Sequence, residues 1–276
     1  VTRPKDKTLP DNVVPLRPAQ DAGAEPRTAS RASGGRAQAS AASALDKALR
    51  AKSPEARVRH ASLGLTRRCD VETQGLLLRQ LYLGELESGH PERARLAAEQ
   101  MVTLGVLPDV ARHDAARACS ASGAYDDAAA HLVEAARIGP PERRAIHLSA
   151  LGGLLYAIGR ARDAIAPLEE ALACGGAPEP IVRGQLALAR AECDDGVADD
   201  VDVDLAYQEL ANAEAGEGYG RFVLGELAFA RGDRARAQIH LEAFLARARR
   251  SRPAAQAALA PEIARATATL GRIVWN

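Results

Sequence analysis

Four cysteines, six histidines and one run of aspartates are the side chains here best equipped for chemistry. Cys69, Cys119, Cys174 and Cys193 could hold zinc or act as thiolates. None form a CxxC pair, and no histidine stands at a zinc-ligand offset beside them. The expectation is free thiols packed as small apolar groups. His60, His90, His113, His131, His147 and His240 are scattered along the chain. His113 and Asp114 adjoin in sequence, which says nothing about whether their side chains meet. Asp194, Asp195, Asp199, Asp200, Asp202 and Asp204 crowd one stretch. That stretch lacks the alternating carboxylates, central glycine and terminal glutamate of an EF-hand loop, so it reads as a solvated insertion. No GxSxG, HExxH or Walker glycine loop occurs. The sequence therefore suggests no catalytic residues, no metal site, no cofactor and no enzyme.

The wider composition points the same way. The chain has 276 residues, 47% of them hydrophobic, enough for a substantial core. Aromatic residues are only 3%, so alanine and leucine must fill the interior. Lys+Arg and Asp+Glu are both 36, and a formally neutral chain is a poor candidate for binding nucleic acid through bulk charge. No stretch reaches the roughly 18 apolar residues of a membrane span. The first residues contain no apolar run like a signal-peptide core, and the expected location is cytoplasmic.

Residues 1–39 are rich in Pro, Ala, Ser and Gly and carry few large apolar groups, so a disordered tail is expected there. The short apolar island "LPDNVVPLRP" within it is read as incidental rather than as a docking motif. From residue 40 the pattern changes to paired helical segments broken by Gly, Pro or Asp. Aligned on the break inside each pair, four segments fall into register at Gly89, Gly123, Gly159 and Gly232. The first two intervals are 34 and 36 residues, and the third is 73, about two repeats. Five residues after each glycine stands Ala94, Ala128, Ala164 or Ala237. Nine after it stands Ala98, Leu132, Leu168 or Leu241. Internal repeats of this length are the signature of a solenoid.

These positions resemble the tetratricopeptide repeat, a 34-residue helix–turn–helix unit. Leu151-Gly152 and Leu224-Gly225 match its Leu-Gly pair, the four glycines match its turn, Ala135 and Ala171 its late alanine, and Pro140 its terminal proline. Ala115-Ala116 stands where Leu-Gly is expected, and Phe244 replaces the last late alanine. The aromatic of the first helix is missing throughout. The resemblance covers about residues 75–250. It implies an all-α, right-handed solenoid of antiparallel helix hairpins, about six of them across residues 40–250, the first and fifth degenerate. In the fifth, Ala206 and Leu210 are assigned to the second helix. Gly152 and Gly225 are placed where the helices of a hairpin approach most closely, with Gly153 off that seam. Residues 251–276, apolar on one face at Leu259, Ile263, Leu270, Ile273 and Val274, are read as a capping helix that covers the end of the solenoid.

In the family, the first helix of each hairpin lines a concave binding groove. By that register the groove residues are Arg79, His113, Arg117, Tyr156, Gln185, Tyr219, Phe222 and Glu226. Arginine and aromatic side chains are frequent interface anchors. Arg79 and Arg117 suggest acidic groups on the partner. The Lys and Asn clamp of chaperone-binding members is absent, and so is the recurring polar code of the RNA-binding pentatricopeptide proteins. The function expected is a non-catalytic adaptor or scaffold that binds a peptide or protein in the groove. The alternative, from another class, is a regulatory repeat protein that senses a ligand or peptide and controls an effector such as a transcription regulator or GTPase. The sequence leaves the oligomeric state open.

Overall fold

The computed structural model describes residues 34–193 and 200–275. Among them there is no strand. Six hairpins follow one another: α1 Gly34–Leu49 with α2 Pro54–Leu65, α3 Val71–Glu87 with α4 Pro91–Leu104, and α5 Pro108–Ala121 with α6 Tyr125–Ile138. Then come α7 Pro141–Ala157 with α8 Ala161–Cys174, α9 Glu179–Cys193 with α10 Asp200–Asn212, and α11 Gly220–Ala230 with α12 Arg234–Arg250. The chain ends in α13 Pro253–Ala258 and α14 Ala260–Trp275. Each helix through α12 packs on the next, which makes the fold an all-α solenoid. Helix α1 starts at Gly34, inside the span expected to be tail. The rest of that span, with its apolar island, lies outside the described residues, as do Asp194, Asp195 and Asp199.

The turns explain the repeat. Gly89, Gly123, Gly159 and Gly232 have φ of 78°, 79°, 81° and 77°, a left-handed conformation that a side chain disfavours. At each, the glycine N–H donates to the carbonyl three residues back, and the next N–H reaches five residues back, as Ala124 does to Cys119 at 2.9 Å. This is the Schellman closure of a helix end. It reverses the chain in the same way four times. Ala94, Ala128, Ala164 and Ala237 are then fully buried in the seam between the two helices. In the fifth hairpin Ala206 and Leu210 are buried as assigned. Ser53 caps α2 by accepting from the Ala56 N–H at 3.2 Å, with Pro54 in the first turn.

Side-chain volumes compensate across the seam. A Cβ on Gly152 would stand 2.4 Å from Leu168 Cγ, and one on Gly225 2.5 Å from Leu241 Cγ. In the second hairpin the glycine position holds Tyr82, and the leucine position opposite holds Ala98; both lie in one buried cluster. Large meets small in either order, which keeps the interior dense without strain. Gly153 faces elsewhere. Its Cβ would meet the Gln185 Nε2 at 2.6 Å and the Tyr219 hydroxyl at 3.3 Å, so it makes room for α9 and α11. Gly152→Val should therefore cost roughly 1–3 kcal/mol through overpacking. Gly153→Val, which meets the polar ends of Gln185 and Tyr219 rather than a packed leucine, should cost less. Thermal unfolding of the two variants decides, and equal losses would contradict the seam drawn here.

The thiol expectation holds in part. Cys119 is buried, Cys69 and Cys193 are half-buried, and Cys174 is exposed. Cys174 is the last residue of α8.

The C-terminal segment does more than cap. It breaks at Leu259 into two helices. Helix α14 packs on α12 and α11, as a cap would, but also on α7 and α5, while α13 packs on α5 and α3. These are first helices of their hairpins. The segment thus lies along the face that they share. Leu259, Ile263, Leu270 and Ile273 are the apolar stripe that holds it to the main core.

Candidate functional site

The face of the first helices is where the groove residues were expected, and the structure sorts them into three sets. Tyr156, Gln185, Tyr219 and Glu226 converge under α14. Phe222 belongs to the core: it is fully buried, with its ring between Tyr219 (centroids 5.8 Å apart) and Phe244 (5.4 Å). Its place on the groove wall is corrected on that ground: the ring is packed against Phe244 of α12 and leaves no surface for a partner. Arg79, His113 and Arg117 form the third set, on α3 and α5.

Two rungs tie α14 to the wall. In the first, Gln185 Nε2 donates to the Tyr219 hydroxyl at 2.9 Å, and that hydroxyl donates to Glu262 Oε1 at 3.4 Å. In the second, Arg265 donates from Nε to Glu226 Oε2 at 2.8 Å, from Nη1 to the Tyr156 carbonyl at 2.8 Å, and from Nη2 to Glu192 Oε2 at 2.5 Å. The Tyr156 hydroxyl donates to the same Glu226 oxygen at 3.1 Å. The Arg265 guanidinium also sits 3.8 Å from the Tyr156 ring centroid. Further along, Arg272 stands over the Phe229 ring at 4.7 Å. Residues 262, 265 and 272 are three and seven positions apart, so one face of α14 makes all these contacts. Glu262 and Arg265 were not foreseen as functional. The signal was present as polar residues interrupting the apolar stripe of a helix read only as a cap.

The fit is incomplete. Gln185 Oε1, Glu226 Oε1 and Glu262 Oε2 are buried with no hydrogen-bond partner among the described residues. All three are acceptors. Burial without a partner is unfavourable, more so for a charged group. Burial raises the Glu262 pKa to about 7, against the lowering effect of the Tyr219 hydroxyl and the Arg117 charge. Burial also pushes Tyr156 and Tyr219 well above the ordinary tyrosine range, next to Glu226 and Glu262 respectively. A cleft of about 630 Å³ opens beside the second rung, between Tyr156, Leu188, Phe229 and the α14 residues Arg265 and Arg272.

The sign of the Glu262 effect follows. An unfolded glutamate releases its proton near 4.5, the folded one only near 7. Between those values the native state holds a proton that the unfolded state has lost, so stability falls as pH rises and stays reduced above 7. Glu262→Gln should remove that slope and raise stability at pH 8 by roughly 1–3 kcal/mol. Denaturant titrations at pH 5 and pH 8 measure it. A slope equal to that of the parent would show that Glu262 is not the group responsible.

The third set is a network joining the first helices. Arg79 Nε donates to Asp114 Oδ2 at 2.9 Å, with the carboxylate almost wholly buried. The wall's expected basic patch is therefore half neutralised, because Asp114 binds Arg79 across the α3–α5 contact rather than its neighbour His113. The His113 Nδ1 lies 3.0 Å from His147 Nδ1, and His147 Nε2 lies 3.2 Å from Asp109 Oδ2. Arg143 donates to both Asp109 oxygens, at 2.6 and 3.1 Å. Burial alone would raise the Asp109 pKa, but the His147 and Arg143 hydrogen bonds outweigh it and hold the carboxyl well below the usual range. Burial, with the Arg117 charge, keeps His113 neutral far below the usual histidine pKa. His113, His147 and Asp109 thus form one buried chain of side-chain contacts, closed at its far end by Arg143. Sequence reading missed this chain because its members are four residues apart on one helix and 34 residues away on the next. Arg117 is half-buried; its charge acts on Tyr82, His113 and Glu262.

Among the described residues no group of three or more His, Cys, Asp or Glu side chains is placed to hold a metal ion, and no helix is long and apolar enough to cross a membrane. A scan against protein-family models finds no match, and a search of curated proteins finds no relative.

Proposed function

We propose that this chain is a non-catalytic protein-interaction module that receives a helical segment of a partner against the first helices of its solenoid. One observation carries the reading. Four of the side chains that the repeat register assigns to the groove, Tyr156, Gln185, Tyr219 and Glu226, already close around a helix, α14. A surface that holds its own helix through paired charges and a stacked arginine has the chemistry to hold another. Stacked hairpins commonly offer such an extended face. The bound α14 also favours regulation: a partner must displace it, so binding is coupled to release of the C-terminal segment.

The test is capture of native cytosolic proteins on the full chain and on an Arg265→Ala chain, with and without excess of a synthetic peptide of residues 259–275. Support would be a specific protein retained more strongly by the Arg265→Ala chain and released by the peptide. Retention that ignores both the substitution and the peptide would refute the groove reading.

A further inference from the structure

The resident helix is an imperfect match to its own groove, and the mismatch describes a better occupant. Resting on the groove reading above, we infer that the segment which displaces α14 is an amphipathic helix with an arginine at the Arg265 position and an uncharged amide side chain, Gln or Asn, three residues before it. The arginine is required by the wall. Glu226 is buried and aligned by the Tyr156 hydroxyl, and Glu192, the Tyr156 carbonyl and the Tyr156 ring surround the same point. Only a planar, multiply donating cation satisfies all four at once.

The amide follows from the other rung. There Tyr219 donates one hydrogen bond toward the helix, and Gln185 Oε1 is left with no donor. The resident Glu262 can accept from Tyr219 but, once ionised, has nothing to give Gln185. Its second oxygen is stranded, and no cationic group of the described residues lies within 4.0 Å of it. A lysine there would supply a donor but would bury a positive charge facing Arg117. An amide accepts from Tyr219 and carries an N–H donor of the kind that the open acceptor of Gln185 lacks, while bringing no charge. The Glu262 pKa near 7 fits the same account, since the protonated acid is the form with a donor.

Two fluorescein-labelled peptides test this: residues 259–275 in native sequence and the same peptide with Glu262→Gln. Anisotropy titrations use the Arg265→Ala full chain, whose wall is intact and whose own helix is loosened. At pH 8 the Glu262→Gln peptide should bind at least tenfold more tightly. At pH 5.5, where Glu262 is protonated, the difference should shrink to about threefold or less. Equal affinities at pH 8, or tighter binding by the native sequence, overturn the amide inference and leave the groove reading standing. Binding of neither peptide overturns both. Should the Arg265→Ala chain lose its helical circular dichroism, the comparison is made within the full-length protein. Amide exchange over residues 260–275 should then be slower in a Glu262→Gln chain than in the parent at pH 8, and equal at pH 5.5. Equal exchange at both pH values overturns the inference.

Discussion

An Arg265→Ala chain should release α14 while the hairpins stay folded. Arg265 is the buried cation of the docking face, with its side chain 14% exposed, and it pairs with Glu226, which is 2% exposed. Its removal leaves that carboxylate buried with only the Tyr156 hydroxyl to hold it. Breaking one side of a buried ion pair costs about 3–5 kcal/mol, because the remaining charge is stranded. Local opening free energies appear directly in hydrogen exchange. Protection over residues 260–275 should fall at least about a hundredfold, while α3 to α8 keep theirs. Arg272→Ala is the control. Arg272 stacks on Phe229 and donates to Thr269 but has no carboxylate within 4.0 Å among the described residues. Such a stacked cation contributes only about 0.5–1 kcal/mol, so protection should change little. If both variants exchange like the parent, the apolar stripe alone holds α14 and the polar rungs contribute nothing.

Phe222→Ala should be the most damaging single truncation among the residues first assigned to the groove. Its ring is fully enclosed between Tyr219 and Phe244. Truncating a buried phenylalanine costs about 3–5 kcal/mol, combining lost transfer energy with the cavity left behind. In a chain of this size that lowers the melting temperature by roughly 6–20 °C. Tyr219→Phe provides the contrast. It keeps the ring and removes only the hydroxyl that bridges Gln185 and Glu262, so it should cost about 1–3 kcal/mol, the penalty of leaving buried polar partners unpaired. The two variants should also differ in where they act. Phe222→Ala weakens the whole of α11 and α12, and Tyr219→Phe weakens mainly α14. A Phe222→Ala protein that melts with the parent would return this residue to the groove wall.

What could be read from the residues was local. A left-handed glycine closing a helix needs only its own turn, so Gly89, Gly123, Gly159 and Gly232 mark the same event in sequence and in space. An alanine five residues later meets the facing helix within one hairpin, and the periodicity follows from contacts no more than a repeat apart. Hairpin number, register and seam glycines were legible for that reason. The volume exchange of Tyr82 with Ala98 for Gly152 with Leu168 is local too, and emerges once the seam is known.

The occupant of the wall was decided elsewhere. Helix α14 reaches α7 and α5 as well as α12, and where the end of a solenoid lands depends on the small rotations that its repeats add up to. Arg265 meets a carbonyl 109 residues before it, and Glu192 73 residues before it. No periodicity links such positions. Arg79 with Asp114 and His113 with His147 differ from these: they pair across a single repeat, between neighbouring hairpins. A repeat sequence specifies its nearest-neighbour contacts, because each unit buries its apolar face only against the next. The pairing of distant units follows from the geometry that those contacts add up to, and that sum exists only in the folded chain.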